Sequence, residues 1–355
     1  MTISATTTPE VRVFQEYDLA TRLAAWESFV RGRGIHRLSD HPAWPLVLRR
    51  GLGQVPYVLE AADGDDVRGL LPLVFLKSPL FGRFLVGLSY LNYGGVISSD
   101  DEAARLLIDR AVALADELDV RHLELRHERS VDHPRLIARP GLKVHMRLAL
   151  PRTGAELWKQ LGTKVRNQVR KGEKNGFSVH WGGAERLADF YAVFSRNMRD
   201  LGTPVFPQKL FAAIAGQFPD RAEFCVVRQG AKPLASALLL HGWGTTEVPS
   251  ASSLREFNST CVNMLMYWHL LGRAIERGQE TFDFGRSSPD GPTHKFKAQW
   301  GALPVPAEWQ YYVRSGDVSA MRPDNPRYER MIRIWKQMPV WLTRRLGPMI
   351  VRGIP

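Results

Sequence analysis

Two stretches of this chain carry the same local signal, and the signal restricts the fold more than any other feature. Pro56 to Glu60 and Val67 to Leu76 are strand-forming runs separated by Asp63-Gly64-Asp65-Asp66; Glu223 to Arg228 and Leu234 to Trp243 are separated by Gln229-Gly230-Ala231-Lys232. Apolar runs on either side of a short polar turn with glycine read as antiparallel hairpins. Each is followed by a helical pattern and a short strand: Asp100 to Leu118 then His122 to Arg126, and Asn263 to Arg277 then Thr281 to Phe284. Each is also preceded by strand and helix, in Val11 to Gly32 and in Ser178 to Gln217. This order gives an α/β (α+β) chain with mixed central sheets, built as an internal repeat of about 150 residues. The expected division is 1–150, 151–315 and a basic tail at 316–355.

The chain has 355 residues, 44% of them apolar, enough for two cores. Its formal charge of +12 implies attraction to polyanions: nucleic acid, a nucleotide-sugar pyrophosphate, acyl-CoA or an anionic membrane. Met321 to Pro355 alone holds eight Arg/Lys against two acids, with basic and apolar residues interleaved, the pattern of a segment lying on a surface. Two cysteines, Cys225 and Cys261, without CxxC spacing, point to a reducing compartment and core packing. Met1 to Tyr17 lacks a signal-peptide pattern and no run reaches the ~18 apolar residues of a membrane span, so a cytoplasmic location, peripheral to the inner membrane, is expected. There is no GxSxG, HExxH, GxxxxGK[ST] or strand-linked GxGxxG, and His122, His127, His133 and His145 lack metal-ligand spacing. No metal is therefore expected.

Two motifs bring in a family. Lys164-Val-Arg166-Asn167-Gln-Val-Arg170-Lys171-Gly-Glu-Lys174-Asn175-Gly176 resembles the basic helix opening the second domain of Fem-type aminoacyl ligases, and Phe282-Asp283-Phe284-Gly285 with Lys295-Phe296-Lys297-Ala-Gln-Trp300-Gly301 resembles their FDFG…FKxxFG ending. Met198-Arg199-Asp200-Leu201-Gly202-Thr203-Pro204, Asn263-Met-Leu-Met-Tyr267-Trp268 and Asn92-Tyr93-Gly94-Gly95 extend the likeness to the FemAB-like branch that accompanies exosortase (PEP-CTERM) and exopolysaccharide systems. The resemblance implies two tandem GNAT-like (acyl-CoA N-acyltransferase) domains. It also implies transfer of an acyl or aminoacyl group to an amine or hydroxyl of an envelope glycan or lipid-linked saccharide. The donor stays open between aminoacyl-tRNA and acyl-CoA: the long coiled-coil arm of many Fem ligases is missing, and so is a Q/R-x-x-G-x-G/A pyrophosphate loop before Asn263. A non-catalytic GNAT pair that binds anionic polysaccharide or nucleic acid is the alternative.

Acyl transfer needs a base for the acceptor's proton, donors for the oxyanion and cations for a phosphorylated acceptor. The family parallel assigns such lysines to the acceptor's phosphates or the donor carbonyl, so Lys297 and Lys295, which share one face if Lys295-Phe296-Lys297 is extended, are the first catalytic candidates; Asp200, in a loop that could orient an acceptor hydroxyl, is a further one. Arg166 and Arg170 are expected to bind substrate phosphate, brought by their helix into a cleft shared with the Phe296 segment. Thr203 is placed to orient an acceptor hydroxyl. Asp283 and Arg286 form either a site ion pair or a structural one. Ser252 and Asn258 belong to an expected ligand-facing loop, Asn258 doubling as a helix cap. Tyr93, with His41, Trp44 and Asn92, lines the first-domain groove.

Overall fold

The computed structural model describes residues 9–139, 141–316 and 329–354. In chain order the elements are β1 (Glu10–Gln15), α1 (Leu19–Gly32), α2 (Trp44–Leu52), β2 (Val55–Asp63), β3 (Asp66–Ser78), β4 (Gly82–Val86), β5 (Ile97–Ser98), α3 (Asp101–Glu117), β6 (His122–His127), β7 (Ile137–Arg139) and β8 (Val144–Ala149). There follow α4 (Gly154–Gln160), α5 (Thr163–Glu173), β9 (Ser178–Gly182), α6 (Leu187–Leu201), α7 (Gln208–Gln217), β10 (Ala222–Gln229), β11 (Lys232–His241), β12 (Thr245–Ser253), α8 (Val262–Glu276), β13 (Thr281–Ser287), α9 (Pro292–Ala298), β14 (Leu303–Pro306), β15 (Glu308–Val313), α10 (Glu329–Gln337) and α11 (Val340–Val351).

Both hairpins form as the turn signals require: β2 pairs antiparallel with β3, and β10 with β11. In each half the next strand adds antiparallel, a helix crosses over, and the following strand returns parallel, β4 beside β6 and β12 beside β13. The crossover helices start where the sequence places them. Asp100 accepts a hydrogen bond from the Ala103 amide at 2.9 Å, with Asp101 and Glu102 in the first turn of α3. That bond, and those from Ser99 and Arg68, hold the Asp100 carboxyl down to about 2. The two sheets run β1-β2-β3-β4-β6-β15-β7 and β14-β8-β13-β12-β11-β10-β9.

The sheets exchange strands across the expected boundaries. β8, from residues 1–150, lies in the second sheet between β13 and β14, and β15, from 151–315, returns to pair with β6 from Glu308↔His127 to Val313↔His122. Alternation along a strand specifies its faces but not its neighbours, so this exchange leaves no mark in the pattern. The halves also share a core: Trp44, Val47 and Leu48 of α2 pack with Phe190 and Phe194 of α6 and Leu210 and Phe211 of α7. Where α2 meets α7 the backbones nearly touch, and a Cβ on Gly51 would lie 2.7 Å from the Leu210 Cα. Trp44 is thus core, its indole donating to the Leu38 carbonyl at 2.7 Å.

Glu156 to Lys174 spans parts of two helices, α4 and α5, because Leu161 is extended (ψ 137°). Two local expectations need correction. Ser250 to Ser253 is the end of β12 rather than a loop. Lys295-Phe296-Lys297 is helical in α9, where residues two apart point about 200° apart, so Lys295 is exposed while Lys297 is buried. Part of the basic tail, 317–328 and 355, lies outside the described residues, as do 1–8 of the N-terminal segment.

Candidate active site at the junction of the halves

β12 and β13 pair over only Thr245↔Thr281, Thr246↔Phe282 and Glu247↔Asp283 before they diverge. The carboxyl ends of neighbouring parallel strands are where open α/β sheets place ligands. Past Asp283 the register of β13 against β8 shifts, and Gly285 takes φ 75° at the irregularity. A Cβ there would lie 2.9 Å from Asn92 Nδ2, so a first-half segment enters the fork. Tyr90 OH lies 3.0 Å from Ser250 Oγ of β12, and Tyr93 OH donates to Asp283 of β13.

Around Tyr93 the chain assembles a buried charged network. The ring stacks on His145 with centroids 4.2 Å apart and carries the Arg37 guanidinium 4.0 Å from its centre. Arg147 of β8 donates Nε to Asp283 at 3.2 Å and Nη2 to Tyr93 OH at 2.7 Å, and it pairs with Glu128. Arg37 pairs with Glu128 and donates to Asp40 at 2.7 Å. Burial acts to raise Glu128, but Arg37 and Arg147 outweigh it and hold the group at about 2. Burial lowers His145 to about 4, so its imidazole is neutral, and raises the Tyr93 phenol well above its ordinary value.

Two groups beside Asp283 are tuned toward neutrality. Glu247, its strand partner, accepts from the Ser39 amide at 2.9 Å; burial, and then the charge of Asp283, push it up to about 8. Lys297 donates to the carbonyls of Gly285 at 3.0 Å and Arg286 at 2.9 Å, which fixes the β13 irregularity. Burial lowers it to about 8 against the pull of Asp283, and the Arg286 charge adds to the lowering. A carboxylic acid and an amine that both titrate near 8 can give and take protons at physiological pH.

The structure therefore brings together Tyr93, Asp283, Arg286 and Lys297 from the sequence reading. It does not join Asp283 to Arg286: the Arg286 guanidinium sits 5.0 Å over the Trp309 ring, and Asp283 takes Arg147 instead. The other expected residues have different surroundings. Asp200 pairs with Arg199 at 2.7 Å at the end of α6, and Thr203 is exposed just beyond. Arg166 reaches only back to Thr163 of its own helix at 3.5 Å, and Arg170 lies 5.4 Å over the Trp158 ring. α5 packs on α8, and among the described residues no hydrogen bond or ion pair links either arginine to the Lys297 network. Ser252 is buried in β12 under Asn197 at 3.1 Å. Asn258 is exposed in a turn and does not cap α8; the residue before that helix is Cys261, at φ 60° and with no capping side chain. Arg37, Asp40, Glu128, Arg147 and Glu247 were missed. The available signal was charge inside strands: His145 and Arg147 share one face of β8, and Glu247 interrupts β12.

Residues 159–297 match the family described as an acetyltransferase (GNAT) domain. The matched segment runs from α4 to Lys297, so it includes the β12/β13 fork but not β8, which supplies Arg147 from outside it. A search of curated proteins gives no sequence match. Among solved structures, FemX shares the fold with a TM-score of 0.64 at 16% identity, over 85% of this chain and 97% of FemX. The C-terminal domain (DUF2156) of a putative lysylphosphatidylglycerol synthetase from Agrobacterium fabrum gives 0.55 at 12%, over 84% and 93%. A tandem GNAT protein from the clavulanic acid biosynthesis pathway gives 0.54 at 11%, over 87% and 100%. The fold is a pair of tandem GNAT folds with mixed sheets, fused here by strand exchange. Among the described residues no group of three or more His, Cys, Asp or Glu is placed to hold a metal ion.

Proposed function

We propose that the chain is an acyl- or aminoacyltransferase acting on an amine or hydroxyl of an envelope glycan or lipid-linked exopolysaccharide precursor, in the FemAB-like branch of exosortase systems and at the inner membrane face. The observation that carries the transfer chemistry is that Glu247, the strand partner of Asp283, and Lys297, held on the β13 carbonyls just past it, each titrate at about 8 at the β12/β13 fork. The neutral Lys297 amine takes the proton of the acceptor as its oxygen or nitrogen bonds to the donor carbonyl carbon. Protonated Glu247 supplies a proton to the departing thiolate or alkoxide as the donor's ester bond breaks. Arg286, an exposed residue whose guanidinium rests over Trp309, would turn to a phosphorylated acceptor.

The donor end of the fold suits an anionic carrier. The first amides of α8 have no side-chain cap. The basic helix α5 packs beside them, with Asn175 Nδ2 donating to the Thr260 carbonyl at 3.3 Å. A pyrophosphate of acyl-CoA or a phosphodiester of aminoacyl-tRNA would be held there by the Val262 and Asn263 amides with Lys171 and Lys174. The carrier supplies the activated carbonyl. The envelope substrate is supported by the FemX and lysylphosphatidylglycerol synthetase likenesses only at the level of fold.

The test is to offer the purified chain labelled acyl-CoA or aminoacyl-tRNA with membrane glycolipid and to read the product by mass spectrometry. A labelled saccharide is the expected result. Saturable glycan binding with no product from either donor would establish the non-catalytic scaffold instead.

A further inference from the structure

Of the nine described large apolar side chains left exposed, four lie on two consecutive helices, α10 and α11. Met331 (62% exposed) and Ile334 (49%) lie on α10, and Trp341 (67%) and Met349 (62%) on α11. Single exposed apolar residues are ordinary on a protein surface, but a cluster on adjoining helices marks an interaction site. Leu201 and Leu80, also exposed, sit where this pair meets the rest of the protein. Leu201 precedes Gly202, whose added Cβ would lie 2.5 Å from Ile332 Cγ2. Leu80 is close to Ser78, which lies against Gly353.

The inner faces of the two helices are well held, so the outer exposure is not a sign of a loose end. Arg344 donates to Ser195 Oγ at 2.8 Å, the Met338 carbonyl accepts from Arg199 at 2.9 Å, and Gly347 abuts the Val205 backbone. The Arg352 carbonyl accepts from Gln54 at 3.3 Å, so the strap reaches from the second half to the first. On the outer side Met331 and Ile334 stand three apart, and Trp341, Arg345 and Met349 follow at intervals of four, each set on one helical face. Residues 329–354 hold six Arg/Lys and one acid, Glu329. An apolar stripe flanked almost wholly by cations fits an interface of lipid tails below anionic headgroups, with the long basic side chains reaching up to the phosphates.

We infer that α10 and α11 form an in-plane docking surface for an anionic lipid bilayer. This rests on the membrane-face placement proposed above and not on transfer chemistry. Vesicle binding is read without donor or acceptor, so either reading can fail alone.

The experiment uses the full chain with phosphatidylcholine vesicles and with vesicles containing phosphatidylglycerol. Expected are sedimentation with the anionic vesicles only, release by salt, and a loss of partitioning of more than about tenfold in both R330E/R333E and W341S/M349S. These positions are exposed, and unchanged thermal unfolding of each variant verifies the fold. Equal binding to both vesicle types, or anionic binding untouched by either variant, overturns the inference. So does a concentration-dependent dimer abolished by W341S/M349S without any vesicle binding, which would assign the surface to a second copy of the chain.

Discussion

Replacing Lys297 with alanine is expected to lower kcat/KM for transfer by at least about 100-fold, the contribution of a positioned proton acceptor. The same change leaves the Gly285 and Arg286 carbonyls without their shared donor, so stability falls by about 1–3 kcal/mol while the fold survives. Lys297→Arg separates the two roles. Arginine keeps a cation that can donate to both carbonyls, but it stays protonated at any pH of interest. Stability restored without activity places Lys297 in the chemistry. Recovered activity in Lys297→Arg would reduce it to a residue that shapes β13.

Arg147→Ala is expected to destabilise the protein by about 3–5 kcal/mol, because it strands Asp283, 1% exposed at its side chain, inside the junction with no guanidinium partner. It also removes a donor to Tyr93 OH and one of the two arginines that hold Glu128 ionised. Since β8 carries Arg147 into the second sheet, the loss weakens the contact between the halves rather than one core alone. Urea unfolding gives the number. Adding Asp283→Asn should recover part of the loss, because the stranded charge is gone. A single-variant loss below about 1 kcal/mol would show that the network does not hold the halves together.

How much of this was legible depended on whether the cause was local. The hairpins, α3, α8 and most other elements follow from turn chemistry, caps and apolar periodicity within a few residues, and the repeat follows from their order. The partners of β8 and β15 do not, since both strands have faces that suit either sheet. Lys297, Asp283, Arg286 and Tyr93 can be singled out from the sequence because they lie in motifs. Arg37, Glu128, Arg147 and Glu247 come from four separate segments that only the fold brings to one place. The shared face expected of Lys295 and Lys297 rested on an extended backbone, where Pro292 and the residues after it start a helix. Arg166 and Arg170 were grouped with Lys297 by resemblance, yet α5 turns them toward Trp158 and their own helix.

The account stands on an amine and a carboxylic acid that exchange protons near neutrality beside Asp283, and the pH dependence of kcat/KM for transfer, from about pH 6 to about pH 10, tests it most directly. Lys297 must be neutral to accept a proton, so activity should rise with pH toward about 8; Glu247 must be protonated to donate one, so activity should fall above about 8. The predicted profile is a bell centred near 8. A profile flat across that range would contradict the assignment of both groups.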